Sequence, residues 1–205
     1  MPSLYDDDQL ALRLKTRFLL ANNLAGVLGA AGVNNFVGAG AVSQLECTLA
    51  ASELTGYPMT EADEVYHFEP LWSDLDTGYD IKVRPWFIHA AAAADTGLIF
   101  KFFYKLFAVG DSLVDAVAGT EATIVVPNST GHTCNANDDS VEATAWTSIA
   151  FTTYYAAGDV AWAFALEFDT NGDASNDEVE LMGIEFQYVP TLMTGNQTAG
   201  IREKT

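Results

Sequence analysis

Three runs, LIFKFFYKLFA (98–108), VAWAFALEF (160–168) and VELMGIEFQYV (179–189), constrain the fold of this chain more than any other feature of its sequence. In the first, Leu98, Phe100, Phe102, Tyr104 and Leu106 share one face of an extended strand, and Ile99, Lys101, Phe103, Lys105 and Phe107 share the other. Aromatic side chains on both faces predict that one face lies in a core and that the other is partly covered by another strand, subunit or partner. Further strand-like runs, VYHFEPLW, YDIKVRPWFIHA, ATIVVP and VEATAWTSIAFTTYY, alternate with turn-rich stretches such as SDLDTG and NSTGHTCNANDDS. Strands spaced this regularly, without convincing long helices between them, predict an all-β antiparallel β-sandwich or jelly roll. About eight strands are expected, one of them contributed by the N-terminal region. The alanines at 90–94 favour a helix by propensity, but a Pro-containing aromatic strand precedes them and Asp-Thr-Gly follows, so they are read as a hairpin connection.

Charge is distributed unevenly. The chain has 28 acidic and 9 basic residues for a net charge of −19, together with 4 Trp, 8 Tyr and 12 Phe, an aromatic content that disordered acidic segments lack. This composition argues against nucleic acid as a partner, because affinity for phosphates rests on Lys and Arg. Assembly must rely on apolar or hydrogen-bonded contacts, or on a basic or cation-bearing partner. Residues 1–60 are nearly neutral, with 5 acids and 3 bases, whereas residues 61–205 hold 23 acids and 6 bases. The expected organisation is an N-terminal arm over 1–60, rich in Gly, Ala and Leu and extended or partly helical, a sandwich over 61–190, and a polar tail over 191–205. Within the arm, Leu10, Leu12, Leu14 and Phe18 alternate with Arg13, Lys15 and Arg17, which suits an extended segment, although Leu10, Leu14 and Phe18 also fit one face of a helix. The acids-first order of the N-terminus is the reverse of a secretion signal, and no uncharged run has the composition of a membrane span, so a soluble product made inside the cell is expected. Cys47 and Cys134, with 86 residues between them, are expected to be free thiols.

The stretch DTNGDASNDE (169–178) raises the question of a calcium loop. Asp169, Asn171, Asp173 and Glu180 fall at positions 1, 3, 5 and 12 of such a loop, with oxygen ligands at the right spacing. Position 6, however, is Ala174 where a glycine is required, and Glu180 lies inside a strand, so the acidic tip of a hairpin is the preferred reading. Calcium is the only cofactor this pattern suggests. His132 stands two residues before Cys134, yet a nucleophile pair needs an oxyanion site, a zinc site needs about four convergent ligands, and the chain has 3 histidines and no CxxC, HExxH or GxSxG. His67 and His89 sit among apolar neighbours and read as core or edge histidines. Trp72, Trp86, Trp146 and Trp162 are expected in the core, with a sugar-stacking platform as the sharper alternative. Phosphate-loop motifs are absent, and the sequons at Asn128 and Asn196 read as ordinary loop residues. No enzymatic activity is expected.

The segments DIKVRPWFIHAAAAADTGLIFKFFYKLFAVGD and TAWTSIAFTTYYAAGDVAWAFALEFDTNGDASNDEVELMGIEFQYVPT resemble, in pattern, the jelly-roll structural proteins of tailed bacteriophages, above all head decoration or cement proteins. The apolar strand, the tip rich in Asp, Asn, Gly and Ser, and the closing aromatic strand look like the terminal hairpin of those domains. The resemblance covers about residues 60–190 and includes no catalytic motif. It implies a homotrimer seated on the outer surface of the virion head, clamping neighbouring major capsid protein subunits; that no nucleic acid or membrane is a direct partner is expected from the charge and from the lack of a membrane-span composition. On this reading Leu10, Leu12, Arg13, Leu14, Lys15, Arg17 and Phe18 contact the capsid or a sister subunit. A receptor- or carbohydrate-binding module of a virion fibre and a single jelly-roll coat protein are the alternatives.

Overall fold

The computed structural model describes residues 14–27, 47–48, 55–89, 96–111, 122–134, 140–169 and 178–191. These form β1 (Lys15–Leu20), a 3-10 turn (Ala21–Asn23), β2 (Ala25–Val27), β3 (Cys47–Thr48), β4 (Thr55–Thr60), β5 (Glu64–Pro70), β6 (Ile81–His89) and β7 (Thr96–Ala108). They continue through β8 (Ala122–Val126), β9 (His132–Thr133), β10 (Ser140–Ala143), β11 (Thr147–Ile149), a one-turn helix α1 (Phe151–Tyr154), β12 (Asp159–Asp169) and β13 (Glu178–Tyr188).

The strands make two antiparallel sheets. In the front sheet the order is β3-β4-β13-β6-β10, with β11 continuing the line of β10 along β6 and β1 continuing the line of β4 along β13. In the back sheet it is β2-β5-β12-β7-β8, with β9 also on β7. Taking β10 and β11 as one interrupted strand and setting aside β1, β2, β3 and β9, eight strands remain. They run first-eighth-third-sixth in front and second-seventh-fourth-fifth behind, the double Greek-key connectivity of a jelly roll. The all-β sandwich is therefore as expected, including its strand from the N-terminal region, β4. Within the segment read as an arm, β1, β2 and β4 all take part in the two sheets.

Two connections differ from expectation. β6 and β7 do not pair, nor do β12 and β13; each pair crosses from one sheet to the other, so neither the alanine run nor the acidic decamer closes a hairpin. The reason lies in the core. Each of these strands carries a full apolar face, and the faces oppose one another between the sheets: the ring of Phe164 on β12 meets that of Phe186 on β13 at 5.3 Å, and Phe87 on β6 meets Phe100 on β7 at 5.4 Å. Alternation shows that a strand has an apolar face. It does not say whether the next strand lies beside that face or across from it.

The core is built from the inward set Phe100, Phe102 and Tyr104 on β7, Trp162, Phe164, Leu166 and Phe168 on β12, and Leu181, Ile184 and Phe186 on β13, with Trp72 closing one end. The step from Leu181 to Ile184 spans a β-bulge that restores the inward alternation further along β13. The opposite face of β7 is also covered, since Ile99, Phe103 and Phe107 are buried, the last beside the small residues Ala161 and Ala163 of β12. Small side chains on β12 leave room for the Phe107 ring of the neighbouring strand.

Candidate functional site

The first candidate is the surface that β1 helps to build. Backbone pairing of Lys15–Leu20 with Gly183–Tyr188 turns Leu19 into the core and puts Phe18 and Leu20 on the outer side of the front sheet. By the same alternation Lys15 and Arg17 share the inward side with Leu19, at the sandwich edge. There Lys15 Nζ bonds Asp74 at 2.5 Å, and the Arg17 guanidinium bonds Glu69 at 2.6 Å while lying over the ring of Trp72. The hydrogen bond and charge of Lys15 hold the Asp74 carboxyl below its ordinary range. Burial works against ionisation of Glu69, but hydrogen bonds from His67 and Trp72 and the charge of Arg17 hold it below the ordinary value. Both basic side chains are thus engaged within this chain. Leu14 is half-buried, and Leu10, Leu12 and Arg13 lie outside the described residues.

Phe18 is 44 % exposed, Leu20 50 % and Val141 of β10 55 %. Between them on the same face lies a polar-aromatic cluster. Phe18 meets Trp86 edge-on at 6.3 Å, the Arg84 guanidinium lies over the rings of Trp86 (5.1 Å) and Trp146 (4.3 Å), and Glu185 accepts from Arg84 Nε and Trp86 Nε1, both at 2.7 Å. Glycine at 183 makes room for this: a Cβ there would stand 2.5 Å from the Leu19 carbonyl oxygen and 2.7 Å from the Phe18 ring. The four tryptophans therefore divide, Trp72 and Trp162 being core and Trp86 and Trp146 half-buried on the outer face.

The second candidate is the acidic decamer. Asp169 alternates with the core residue Phe168 and so faces outward from the back sheet, where it pairs with Lys101 Nζ at 2.6 Å. Glu180, between the core residues Val179 and Leu181, faces outward from the front sheet. These two of the four candidate calcium ligands thus lie on opposite outer faces; Asn171 and Asp173 lie outside the described residues.

Next to Asp169 is a feature that sequence reasoning passed over because carboxylates are so abundant in this chain. In one cross-strand row, Glu64 of β5 opposes Glu167 of β12, which opposes Lys101 of β7. Lys101 bonds Glu167 at 2.9 Å as well as Asp169, Tyr66 donates its hydroxyl hydrogen to Glu64, and Glu64 is fully buried. Burial, and then the hydrogen bond and charge of Glu167, push the Glu64 carboxyl far above the ordinary range. Burial beside Glu167 therefore favours the protonated form of Glu64, whose Oε2 accepts from Tyr66. Strand register alone could have flagged the pair, had the neighbours of β12 been known.

The third candidate gathers His132 and Cys134. Two residues apart on an extended segment, they point the same way, and β10 brings Glu142 to them, so that one ligand atom from each lies within 4.8 Å of the others. His132 Nε2 is 2.6 Å from Glu142 Oε2, and Ser140 donates to Oε1 of the same carboxylate at 2.9 Å. Glu142 escaped the sequence reading because VEA suggests a buried valine beside an exposed glutamate, whereas Val141 faces solvent and Glu142 is 6 % exposed. His89 is buried, and His67 is half-buried with its ring 5.4 Å from Phe164; both fit the structural role expected of them.

No helix among the described residues is long and apolar enough to cross a membrane. No family model, curated protein or solved structure matches the chain.

Proposed function

We propose that this chain is a structural binding module without enzymatic activity, a capsid decoration protein whose front-sheet face docks on the outer surface of a virion head. The observation that carries the reading is the cluster Phe18, Leu20, Trp86, Arg84 and Val141 on a single outer face of a jelly roll whose net charge is −19. Like charges oppose association of so acidic a protein, so its assembly contacts must be apolar or hydrogen-bonded or made to a basic or cation-bearing partner. An apolar face with one guanidinium at its centre supplies the desolvation and the directed hydrogen bonding that a specific contact needs. The major capsid protein is the partner this reading names, on the strength of the sequence resemblance and the connectivity of the sheets, with the chain acting as a homotrimer.

Phe18 is the residue of the expected contact set that this face presents, and Lys15 and Arg17 serve instead to seat β1. Many copies, each binding modestly, would together brace a shell, because linked weak contacts multiply. The carbohydrate-binding alternative is weakened by Arg84, which already lies over the rings of Trp86 and Trp146. Co-sedimentation with virus-like shells tests the proposal. Wild-type protein is expected to pellet with shells, and Phe18→Ser combined with Leu20→Ser to stay in the supernatant while keeping the wild-type urea midpoint. Pelleting of the double variant like wild type, or no pelleting of wild type with shells of its own virus, would refute the assignment.

A further inference from the structure

We propose that His132, Cys134 and Glu142 form a binding site for one zinc ion at the edge of the sandwich, where β9 of the back sheet approaches β10 of the front sheet. The site is independent of the docking face. It stands on the convergence of three different donor types from segments that the fold, not local sequence, brings together.

The geometry is close to what zinc requires. With bonds of about 2.0 to 2.3 Å, the ligand atoms around a tetrahedral ion lie about 3.3 to 3.8 Å apart, and the three ligand atoms here all lie within 4.8 Å of one another. The His132–Glu142 contact, at 2.6 Å, has to open by about 0.7 Å on that geometry. The supports are already in place. Ser140 engages Oε1 of Glu142, which leaves Oε2 as the oxygen presented to His132. The His132 ring is braced edge-on by Phe87 at 5.6 Å, and its backbone pairs with Leu98 on β7. Gly131, at φ +75, lies so close to Gly97 that a Cβ would come within 2.2 Å of its carbonyl carbon, so the approach of β9 to β7 depends on that glycine.

The donor set selects the ion. A thiolate, an imidazole and a carboxylate suit zinc, whereas calcium and magnesium take oxygen ligands only. Charge agrees as well: a thiolate at Cys134 and a carboxylate at Glu142, both largely removed from water, are neutralised by one divalent cation. Of His132 and Glu142, His132 is the more open, its side chain 18 % exposed against 3 % for Glu142, so a fourth position would face solvent on the His132 side. Three protein ligands and an outward fourth position admit a water molecule or a donor from a neighbouring subunit.

Metal-stripped full-length protein, titrated with zinc and separately with cobalt, tests the site. One equivalent of zinc is expected to bind. Cobalt is expected to give the intense visible bands of a tetrahedral site and a thiolate charge-transfer band. Glu142→Gln should weaken zinc binding at least about tenfold, Cys134→Ser should abolish the charge-transfer band, and Cys47→Ser should change neither. A cobalt spectrum of octahedral, oxygen-only character in the wild type overturns the proposal without recourse to any variant. Stoichiometric zinc binding that survives Cys134→Ser overturns it too.

Discussion

Replacing Glu64 by glutamine should change how stability depends on pH, and the direction follows from the row Glu64–Glu167–Lys101. Burial and the neighbouring Glu167 raise the Glu64 carboxyl from 4.5 to about 8 in the folded chain. In the unfolded chain the proton leaves near the ordinary value. Below that value both states carry the proton and the stabilisation is fully present; as pH rises the unfolded state releases it first, and stability falls until the folded carboxyl also ionises. One proton makes the steepest slope about 1.4 kcal/mol per pH unit. The Glu64→Gln variant keeps an acceptor for the Tyr66 hydroxyl, but it cannot ionise. We therefore expect the variant and the wild type to have similar stability at about pH 5, and the variant to be the more stable by about 2 to 4 kcal/mol at about pH 8, a gap obtained by carrying that slope across two to three units. Urea unfolding followed by tryptophan fluorescence at several pH values measures the difference directly. Curves for the two proteins that run parallel from about pH 5 to about pH 8 would show that Glu64 is ionised in the folded state, and the reasoning would fail.

Two further outcomes follow from packing. Gly183→Ala should cost about 1 to 3 kcal/mol, because the added methyl would press on the Leu19 carbonyl oxygen as well as on the Phe18 ring; hydrogen exchange should show the amides of β1 losing protection before those of β6, and unchanged protection would refute the packing argument. Phe164→Ala should cost about 3 to 5 kcal/mol, since the ring is fully buried and packs at 5.0 Å on Trp162, 5.3 Å on Phe186 and 5.5 Å on Phe102; a urea midpoint within error of wild type would contradict the core described above.

What the sequence determined by itself is the set of strands and their inner faces. The two faces predicted for LIFKFFYKLFA are those observed, because period-two alternation is a property of a single extended backbone and needs no partner to exist. Turn-rich punctuation and the lack of long helices were enough for an all-β sandwich. Only the tertiary structure decided which strand lies beside which. The acidic decamer read as a hairpin tip because an apolar strand follows an apolar strand, yet β12 and β13 stack across the core, and Asp169 and Glu180 end on opposite outer faces. The direction of β1 was undecidable locally for a similar reason. Its side chains could face either way until pairing with β13 turned Leu19 inward and directed Lys15 and Arg17 to carboxylates 59 and 52 residues away. The clusters with chemical potential, Glu64 with Glu167 and His132 with Glu142, also join residues from different strands. Carboxylates and imidazoles carry no information in one dimension about what they will face. Their state is set by burial and by a neighbour's charge, which exist only once the sheets have closed on each other.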